Sequence, residues 1–132
     1  MNILVTGGAG FIGSHTAEVL QSLGHKVFIL DNFSTGNIEN IRFLDEWRLF
    51  YGVDICNYEA VDKVFNNIYN IKFDVVYHFA AHMNVRESVE NPIEDAQTNI
   101  IGSLNILECC RKYGVKKVIF SSSGGTVYGR AS

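Results

Sequence analysis

Short apolar runs alternate with amphipathic segments along the whole chain. The runs are rich in Val, Ile and Phe and nearly continuous, which is typical of parallel strands covered on both faces. They lie at 2–6, 26–31, 48–54, 73–80 and 116–123. Because strands separated by helices build β-α-β units with right-handed crossovers, this pattern predicts an α/β fold with a parallel sheet.

The segments between the runs have helical periodicity. In the first segment, apolar residues recur at helical spacing at Phe11, Ile12, Val19, Leu20 and Leu23. The second segment has one apolar face, formed by Val61, Val64, Phe65 and Ile68. The third, 91–114, has Pro92 in its first turn and Gly114 after its last, as helix start and stop signals require. The stretch 32–47 is the least regular and predicts a loop followed by one short helix.

Composition limits the class of protein. A chain of 132 residues that is 47% hydrophobic is long enough for one compact core, so we expect one domain over 1–132. The net charge of −3, with acidic and basic residues interspersed, argues against binding to nucleic acid or to a membrane surface. No apolar run approaches the ~20 residues of a membrane span, and Met1-Asn2-Ile3 lacks the basic start of a signal peptide.

The cysteines also indicate the setting of the protein. Three cysteines are too few for a disulfide framework, so we expect a reducing, cytoplasmic environment. The adjacent Cys109 and Cys110 are interpreted as packing residues, with a vicinal redox pair as the alternative. No metal site is predicted.

The glycine-rich corner after the first apolar run is the strongest local signal. Gly8 to Gly13 fits G-x-G-x-x-G, and Gly7, Gly10 and Gly13 fit the variant with glycine at every third position. Gly7 or Gly8 would allow the tight turn, Gly10 the close approach of a pyrophosphate, and Gly13 the packing of helix against strand. A phosphate at such a corner is held by N–H groups at the helix N-terminus.

The second apolar run ends in an acid, Asp31, which lies 18 residues after Gly13. A carboxylate at this place accepts both ribose hydroxyls of an adenosine and repels a 2′-phosphate, which favours NAD over NADP. The alternative is an acid that merely starts the following loop. Together, the corner and the acid predict a Rossmann-type doubly wound sheet with strand order 3-2-1-4-5.

Further motifs are spread over the whole chain, namely TGGAGFIGSH, DNFSTG, VDI, VYHFAA, VRESVENP, TNIIGSLNILE and VIFSSSGGTVYG. Together they resemble the extended short-chain dehydrogenase/reductase family, most closely its NAD-dependent nucleotide-sugar epimerases of the UDP-glucose 4-epimerase kind. The resemblance implies transient oxidation of a sugar C4 by NAD and re-reduction on the other face. It also implies a nucleotide-sugar substrate, with a UDP-sugar favoured, and a homodimer of the full-length protein through helices that include 92–112.

The same resemblance implies the cofactor-binding residues. The pyrophosphate site comprises Gly7, Gly10, Phe11, Ile12 and Gly13. The adenine ribose is surrounded by Asp31, Asn32, Ser34, Thr35 and Gly36. The adenine meets Asp54 and Ile55, and the nicotinamide ribose lies over Phe79, Ala80 and Ala81. Asn99 matches an asparagine near the cofactor, with a buried amide satisfied by backbone as the alternative.

A catalytic hydroxyl is expected after the fifth strand. The family places a serine four residues before the tyrosine of VYG, but this chain has Gly124 there. We therefore take Ser123 as the catalytic hydroxyl and Thr126 as its substitute, with Ser121 and Ser122 as further candidates. The alternative is that these hydroxyls only cap the strand end.

The family's general base is a tyrosine with a lysine four residues later on a helix. Tyr113 and Lys117 have this spacing, but Gly114 breaks the helix and Lys117 belongs to a predicted strand, so we reject the pair. Tyr128 has no lysine four residues later. We therefore expect the amino-terminal portion of a longer enzyme, without the sixth strand and the substrate domain, that binds NAD but does not turn over a sugar alone.

Two alternative functions stay open. The first is a nucleotide-sugar dehydratase or decarboxylase of the same family, although Gly124-Gly125 in place of the dehydratase Asp-Glu favours an epimerase. The second is a non-catalytic, NAD(P)-sensing Rossmann module.

Overall fold

The structure is a computed structural model that describes residues 1–33, 36–79 and 92–120. Its strands are β1 (Asn2–Thr6), β2 (Lys26–Asp31), β3 (Leu49–Tyr51), β4 (Val75–His78) and β5 (Lys117–Phe120). Its α-helices are α1 (Phe11–Ser22), α2 (Tyr58–Phe65) and α3 (Pro92–Lys112). Two short 3₁₀ helices, Ile38–Ile41 and Glu46–Arg48, lie between β2 and β3.

The five strands form one parallel sheet with the order β3-β2-β1-β4-β5. This confirms the predicted Rossmann-type topology. The register pairs Thr6 with both Leu30 and His78, and His78 in turn with Phe120. The last residues of β1, β2, β4 and β5 therefore lie along one edge, where ligands of open α/β sheets bind.

The sheet is covered on both faces, which explains the continuous apolar strands. One face contributes Leu4, Phe28, Leu30 and Val76 to a core under α2 and α3. The other contributes Ile3, Val5, Val27 and Ile29 to a core under α1. Strand residues alternate between the two cores because successive side chains point to opposite faces of a sheet.

The buried face of α1 differs from its predicted apolar face. Four of the five apolar residues at helical spacing are exposed, namely Phe11, Ile12, Val19 and Leu23. The helix buries the fifth, Leu20, together with the small residues Gly13, Ser14 and Ala17. Small residues allow the helix backbone to approach the sheet closely, and this close approach decides the packing of α1 more than its apolar spacing does.

The end of α2 also differs from the prediction. Val61, Val64 and Phe65 are buried as expected, but the helix ends at Phe65 and Ile68 beyond it is 92% exposed. In the stretch 32–47, the two 3₁₀ helices replace the single short helix that was predicted. Both differences lie where short-range periodicity is too brief to define a helix.

The long helix α3 has the predicted boundaries. It begins at Pro92, carries Arg111 and Lys112 in its last turn, and is followed by Gly114 with a φ of 71°. Cys109 and Cys110 on this helix are buried and unpaired. Burial raises the pKa of Cys109 to about 11 and that of Cys110 to about 12, which favours packing over the redox alternative.

None of the helices within the three described ranges combines the length and apolar character that crossing a bilayer requires.

Candidate functional site

The turn between β1 and α1 depends on two glycines. Gly7 has a φ of 68°, a left-handed conformation that glycine adopts readily, so Gly7 rather than Gly8 makes the tight turn. A Cβ on Gly13 would lie 2.3 Å from the carbonyl oxygen of Gly7, so helix and turn meet in a contact that excludes any side chain. A Cβ on Gly10 would meet that oxygen at an ordinary 3.4 Å, so packing alone does not require glycine at this position.

The N-terminus of α1 has no side-chain cap. Gly10 occupies the N-cap position without a side chain, and no acidic residue lies in the first turn. By contrast, the Asn57 side chain caps α2 by accepting a hydrogen bond from the N–H of Ala60. The first N–H groups of α1 thus point away from the helix without a capping oxygen, which suits an anionic ligand such as a diphosphate.

The carboxylate of Asp31 is anchored at the end of β2. Its Oδ2 accepts a hydrogen bond of 2.9 Å from the N–H of Ala9, and its Oδ1 accepts one of 2.7 Å from the N–H of Phe33. Asp31 therefore starts the loop, as the alternative interpretation held, and also contacts the glycine turn. A carboxylate has about four lone-pair sites, so two N–H donors leave acceptor capacity for hydroxyl groups of a ligand.

The segment after β2 braces the same turn. The carbonyl oxygen of Ala9 accepts hydrogen bonds from the N–H of Asn37 at 3.0 Å and from Nδ2 of Asn40 at 2.8 Å. Gly36 lies against this contact, since a Cβ there would be 2.8 Å from the Cβ of Ala9 and 3.1 Å from Oδ2 of Asp31. Asn40 was missed by the sequence analysis, because nothing in its local pattern connects it to a residue 31 positions earlier.

The two predicted adenine residues follow β3. Asp54 is exposed, and its Oδ1 accepts a hydrogen bond of 2.9 Å from the N–H of Cys56. Ile55 is half-buried against α3, where a Cβ on Gly102 would lie 2.4 Å from its Cδ1. The carbonyl oxygen of Ile55 accepts a 2.8 Å hydrogen bond from Nδ2 of Asn105. Asn105 is a second residue that the sequence analysis did not single out.

The end of β4 brings further candidate residues to the same edge. The N–H of Phe79 donates a 3.0 Å hydrogen bond to the carbonyl oxygen of Thr6, directly before the glycine turn. Asn99 is half-buried on α3, and Asn32 is exposed at the end of β2. The remaining predicted site residues lie outside the described residues: Ser34, Thr35, Ala80, Ala81, Ser121, Ser122, Ser123 and Thr126.

The rejected Tyr113–Lys117 pair does not share a helix. Tyr113 follows the end of α3, and its OH donates a 2.8 Å hydrogen bond to Oδ1 of Asp62, which also accepts one from Lys112. The hydrogen bond from Lys112 is the main cause of a lowered pKa of Asp62. Lys117 begins β5. Among the residues described, no group of three or more His, Cys, Asp and Glu is placed to hold a metal ion.

Comparisons with known proteins extend this description. The chain matches the protein family described as GDP-mannose 4,6 dehydratase over residues 4–132. It is 49% identical over 128 residues to a putative UDP-glucose 4-epimerase of Methanocaldococcus jannaschii, covering 96% of this chain and 39% of that protein. It is 44% identical to a UDP-glucose 4-epimerase of Schizosaccharomyces pombe, of which it covers 36%. The chain thus spans less than half the length of these relatives.

Solved structures give the same result. A UDP-glucose 4-epimerase of Thermotoga maritima, determined with UDP-glucose, superimposes with a TM-score of 0.85 at 50% identity, covering 98% of this chain and 40% of that one. The enzyme of Thermus thermophilus, determined with NAD, gives 0.83 at 44% identity with the same coverage. The chain therefore belongs to the GDP-mannose 4,6 dehydratase family, within the extended short-chain dehydrogenases/reductases that its motifs indicate.

Proposed function

We propose that this chain is the NAD-binding portion of a nucleotide-sugar 4-epimerase that acts on UDP-sugars. The carrying observation is the carboxylate of Asp31, which accepts the N–H of Ala9 within the glycine turn while it ends β2. One anchored acid thus borders both the uncapped helix N-terminus, which suits a diphosphate, and the place where an adenosine ribose would lie. The similarity to UDP-glucose 4-epimerases supports the substrate class.

In this proposal, the chain's own residues bind and orient the dinucleotide. The first N–H groups of α1, those of Phe11 and Ile12 beside Gly10, hold the pyrophosphate, while Asp31 accepts the ribose hydroxyls. Asp54 and Ile55 face the adenine, and Phe79 and Asn99 lie toward the nicotinamide. Bound NAD supplies the hydride acceptor for oxidation of a sugar carbon. Ser123 or Thr126 is the proposed hydroxyl that orients the reacting oxygen.

These 132 residues are proposed to bind NAD without turning over a sugar. The reason is that Tyr113 and Lys117, the chain's one Tyr-x-x-x-Lys, do not share a helical face. Tyr113 is also engaged by Asp62. Epimerisation of UDP-galactose by these residues alone would contradict this part of the proposal. We further propose a cytoplasmic location, because three cysteines are too few for a disulfide framework.

Calorimetric titration with NAD and NADP tests the central claim. We expect NAD to bind roughly tenfold or more tightly than NADP, because Asp31 repels a 2′-phosphate. Asp31→Asn keeps the side-chain shape and one acceptor oxygen. We expect it to bring the affinities for NAD and NADP closer together. Glu59→Ala, at an exposed acid in the first turn of α2, is the control and should leave both affinities unchanged. Equal affinity of the unaltered chain for both nucleotides would refute the role of Asp31.

We also propose that a second copy of the chain covers the outer face of α3. Four exposed apolar residues, Ile93, Ile100, Leu104 and Leu107, recur at intervals of seven, four and three positions. This spacing makes one stripe along the helix, which two antiparallel copies can share. Sedimentation equilibrium should give a concentration-dependent dimer, and Leu104→Glu should shift it to monomer. A monomer at every concentration would contradict the proposal.

A further inference from the structure

One buried histidine has no part in the dinucleotide contacts proposed above. His78 is the last residue of β4 and is only 4% exposed. Its Nδ1 lies 2.6 Å from Oγ1 of Thr6, and its Nε2 lies 3.0 Å from Oγ of Ser103. Burial lowers the pKa of His78 to about 4, so the ring is neutral near pH 7.

The two hydroxyl partners suit a neutral ring. A neutral imidazole has one N–H donor and one nitrogen acceptor, whereas each hydroxyl can both donate and accept. In either tautomer, one ring nitrogen donates to its hydroxyl and the other accepts from the opposite hydroxyl. Both polar atoms of the ring are thus satisfied, and the ring plane is fixed by two bonds on opposite sides.

These bonds connect the elements that carry the candidate site. Thr6 ends β1 and directly precedes Gly7 of the glycine turn, while Ser103 lies on α3 one turn after Asn99. The ring of Phe120, the last residue of β5, packs edge-on against the imidazole with a centroid distance of 5.4 Å. One side chain therefore joins the ends of β1, β4 and β5 to the middle of α3.

A simple packing role does not account for this arrangement. An apolar residue of similar volume would fill the same space without needing partners, and replacing all hydrogen-bonded partners in a core by apolar groups of the same shape is often nearly neutral. The hydrogen bonds instead fix the distance between strand end and helix, which apolar contacts define less sharply. The neighbouring N–H of Phe79 bonds to the carbonyl oxygen of Thr6, so it depends on the same strand end.

We propose that His78 is a positioning residue of the dinucleotide site. Its two ring hydrogen bonds hold the end of β1 against α3 and so set the spacing between the glycine turn and Asn99. The inference rests on the proposed function, because the affected quantity is affinity for NAD. It concerns a residue that is not itself among those proposed to contact the dinucleotide.

The test compares variants of His78 in the full 132-residue chain. His78→Phe keeps a ring against Phe120 but removes both hydrogen bonds, and we expect NAD to bind at least tenfold more weakly. His78→Gln places an amide nitrogen near the position of Nε2 and restores the bond to Ser103, so we expect partial recovery of affinity. Val64→Ala, at a buried position of α2, is the control that loses stability without touching this network.

Three results decide the inference. Calorimetry and urea unfolding are measured on each variant, so that affinity is compared at matched folded fractions. Wild-type NAD affinity in a folded His78→Phe variant overturns the inference but leaves the proposed function intact. Absence of NAD binding by the unaltered chain overturns both. Affinity that falls equally in Val64→Ala also overturns it, because stability alone would then explain the loss.

Milder variants keep the test decisive if His78→Phe fails to fold. Ser103→Ala and Thr6→Val each remove one partner, and each should weaken NAD binding by a smaller factor. Combining Thr6→Val with His78→Gln should add little to either single change, because both interrupt the bond between Thr6 and His78. Wild-type affinity in both single variants would overturn the inference.

Discussion

The two ends of the candidate site are held by different kinds of interaction. At the Asp31 end, the main-chain atoms of one residue carry the contacts: the N–H of Ala9 donates to Asp31, and its carbonyl oxygen accepts from Asn37 and Asn40. At the opposite end, the contacts join side chains, because the hydroxyls of Thr6 and Ser103 each bond to the ring of His78. At the first end the contacts thus meet on the main chain of Ala9, whereas the second end consists of contacts between side chains.

This difference decides what each end tolerates. A turn built on backbone contacts accepts many side chains but cannot accept a Cβ where backbone atoms meet. A network of side chains depends less on the contacts of the nearby backbone. Its hydrogen bonds depend instead on the protonation state of the titratable residue, His78. We expect the stability of the first end to respond most strongly to substitutions, and that of the second end to respond most strongly to pH.

The largest expected effect is steric and lies at the glycine turn. Gly13→Ala would place a Cβ 2.3 Å from the Gly7 carbonyl oxygen, where no flexible side chain can move aside. We expect a loss of roughly 3 kcal/mol or more in the free energy of unfolding, measured by urea denaturation. Gly10→Ala is the matched control, because its Cβ meets the same oxygen at 3.4 Å and should cost no more than about 1 kcal/mol.

The same pair separates folding from binding. In Gly10→Ala, the new Cβ stands at the proposed approach of the pyrophosphate, so NAD affinity should fall although the fold is kept. Equal destabilisation by the two substitutions would show that the turn does not distinguish these positions as its geometry requires.

The next effect is the pH dependence of stability at the His78 end. The pKa of His78 is lowered from 6.5 to about 4, so below pH 6.5 the unfolded chain binds a proton that the folded chain does not. Stability should therefore fall as the pH decreases from 6.5 to 4, by up to about 3 kcal/mol from this group. Among the residues that the structure describes, the groups shown in contact with the ring are Thr6, Ser103 and Phe120, which are uncharged and do not titrate in this range.

Urea unfolding at a series of pH values measures this slope. His78→Phe should remove the His78 contribution and flatten the curve over that interval, while Asn40→Ala should leave the slope unchanged. An identical pH dependence in His78→Phe would mean that other groups account for acid destabilisation.

The smallest effect is expected at the brace of the glycine turn. Asn40→Ala removes one of the two hydrogen bonds to the Ala9 carbonyl oxygen, and the Asn37 N–H keeps that oxygen satisfied. We expect a loss of about 1 kcal/mol and a modest decrease in NAD affinity. Asn66→Ala, at an exposed asparagine after α2, serves as the control. A loss as large as that of Gly13→Ala would contradict the view that backbone shape dominates this end.

The sequence predicted the parts that depend on neighbours along the chain. The parallel sheet follows from alternating strands and helices, and its order was expected from the glycine corner and Asp31. Gly7 and Gly13 have the conformation and the close contact expected of their spacing. Asp31 was identified because strand ends are visible as the last residue of an apolar run. Whether these residues bind NAD stays a prediction.

Contacts between distant segments could not be predicted in the same way. Thr6 and His78 are 72 positions apart, and Asn40 reaches Ala9 across 31. The prediction of the buried face of α1 was wrong for a related reason. Apolar spacing shows which side chains gain most from leaving water. Ala17 and Gly13 are buried because their small size allows close packing. No local pattern reports the shape of the surface that a helix will meet.

The helix α3 contacts two parts of the candidate site within three residues, the His78 end and the segment after β3. Ser103 bonds to His78 on one side, and Asn105 bonds to the Ile55 carbonyl oxygen on the other. A rotation of α3 about its own axis would lengthen both of these hydrogen bonds together. Any contact that turns α3 through its outward-facing isoleucines and leucines is therefore expected to affect both hydrogen bonds.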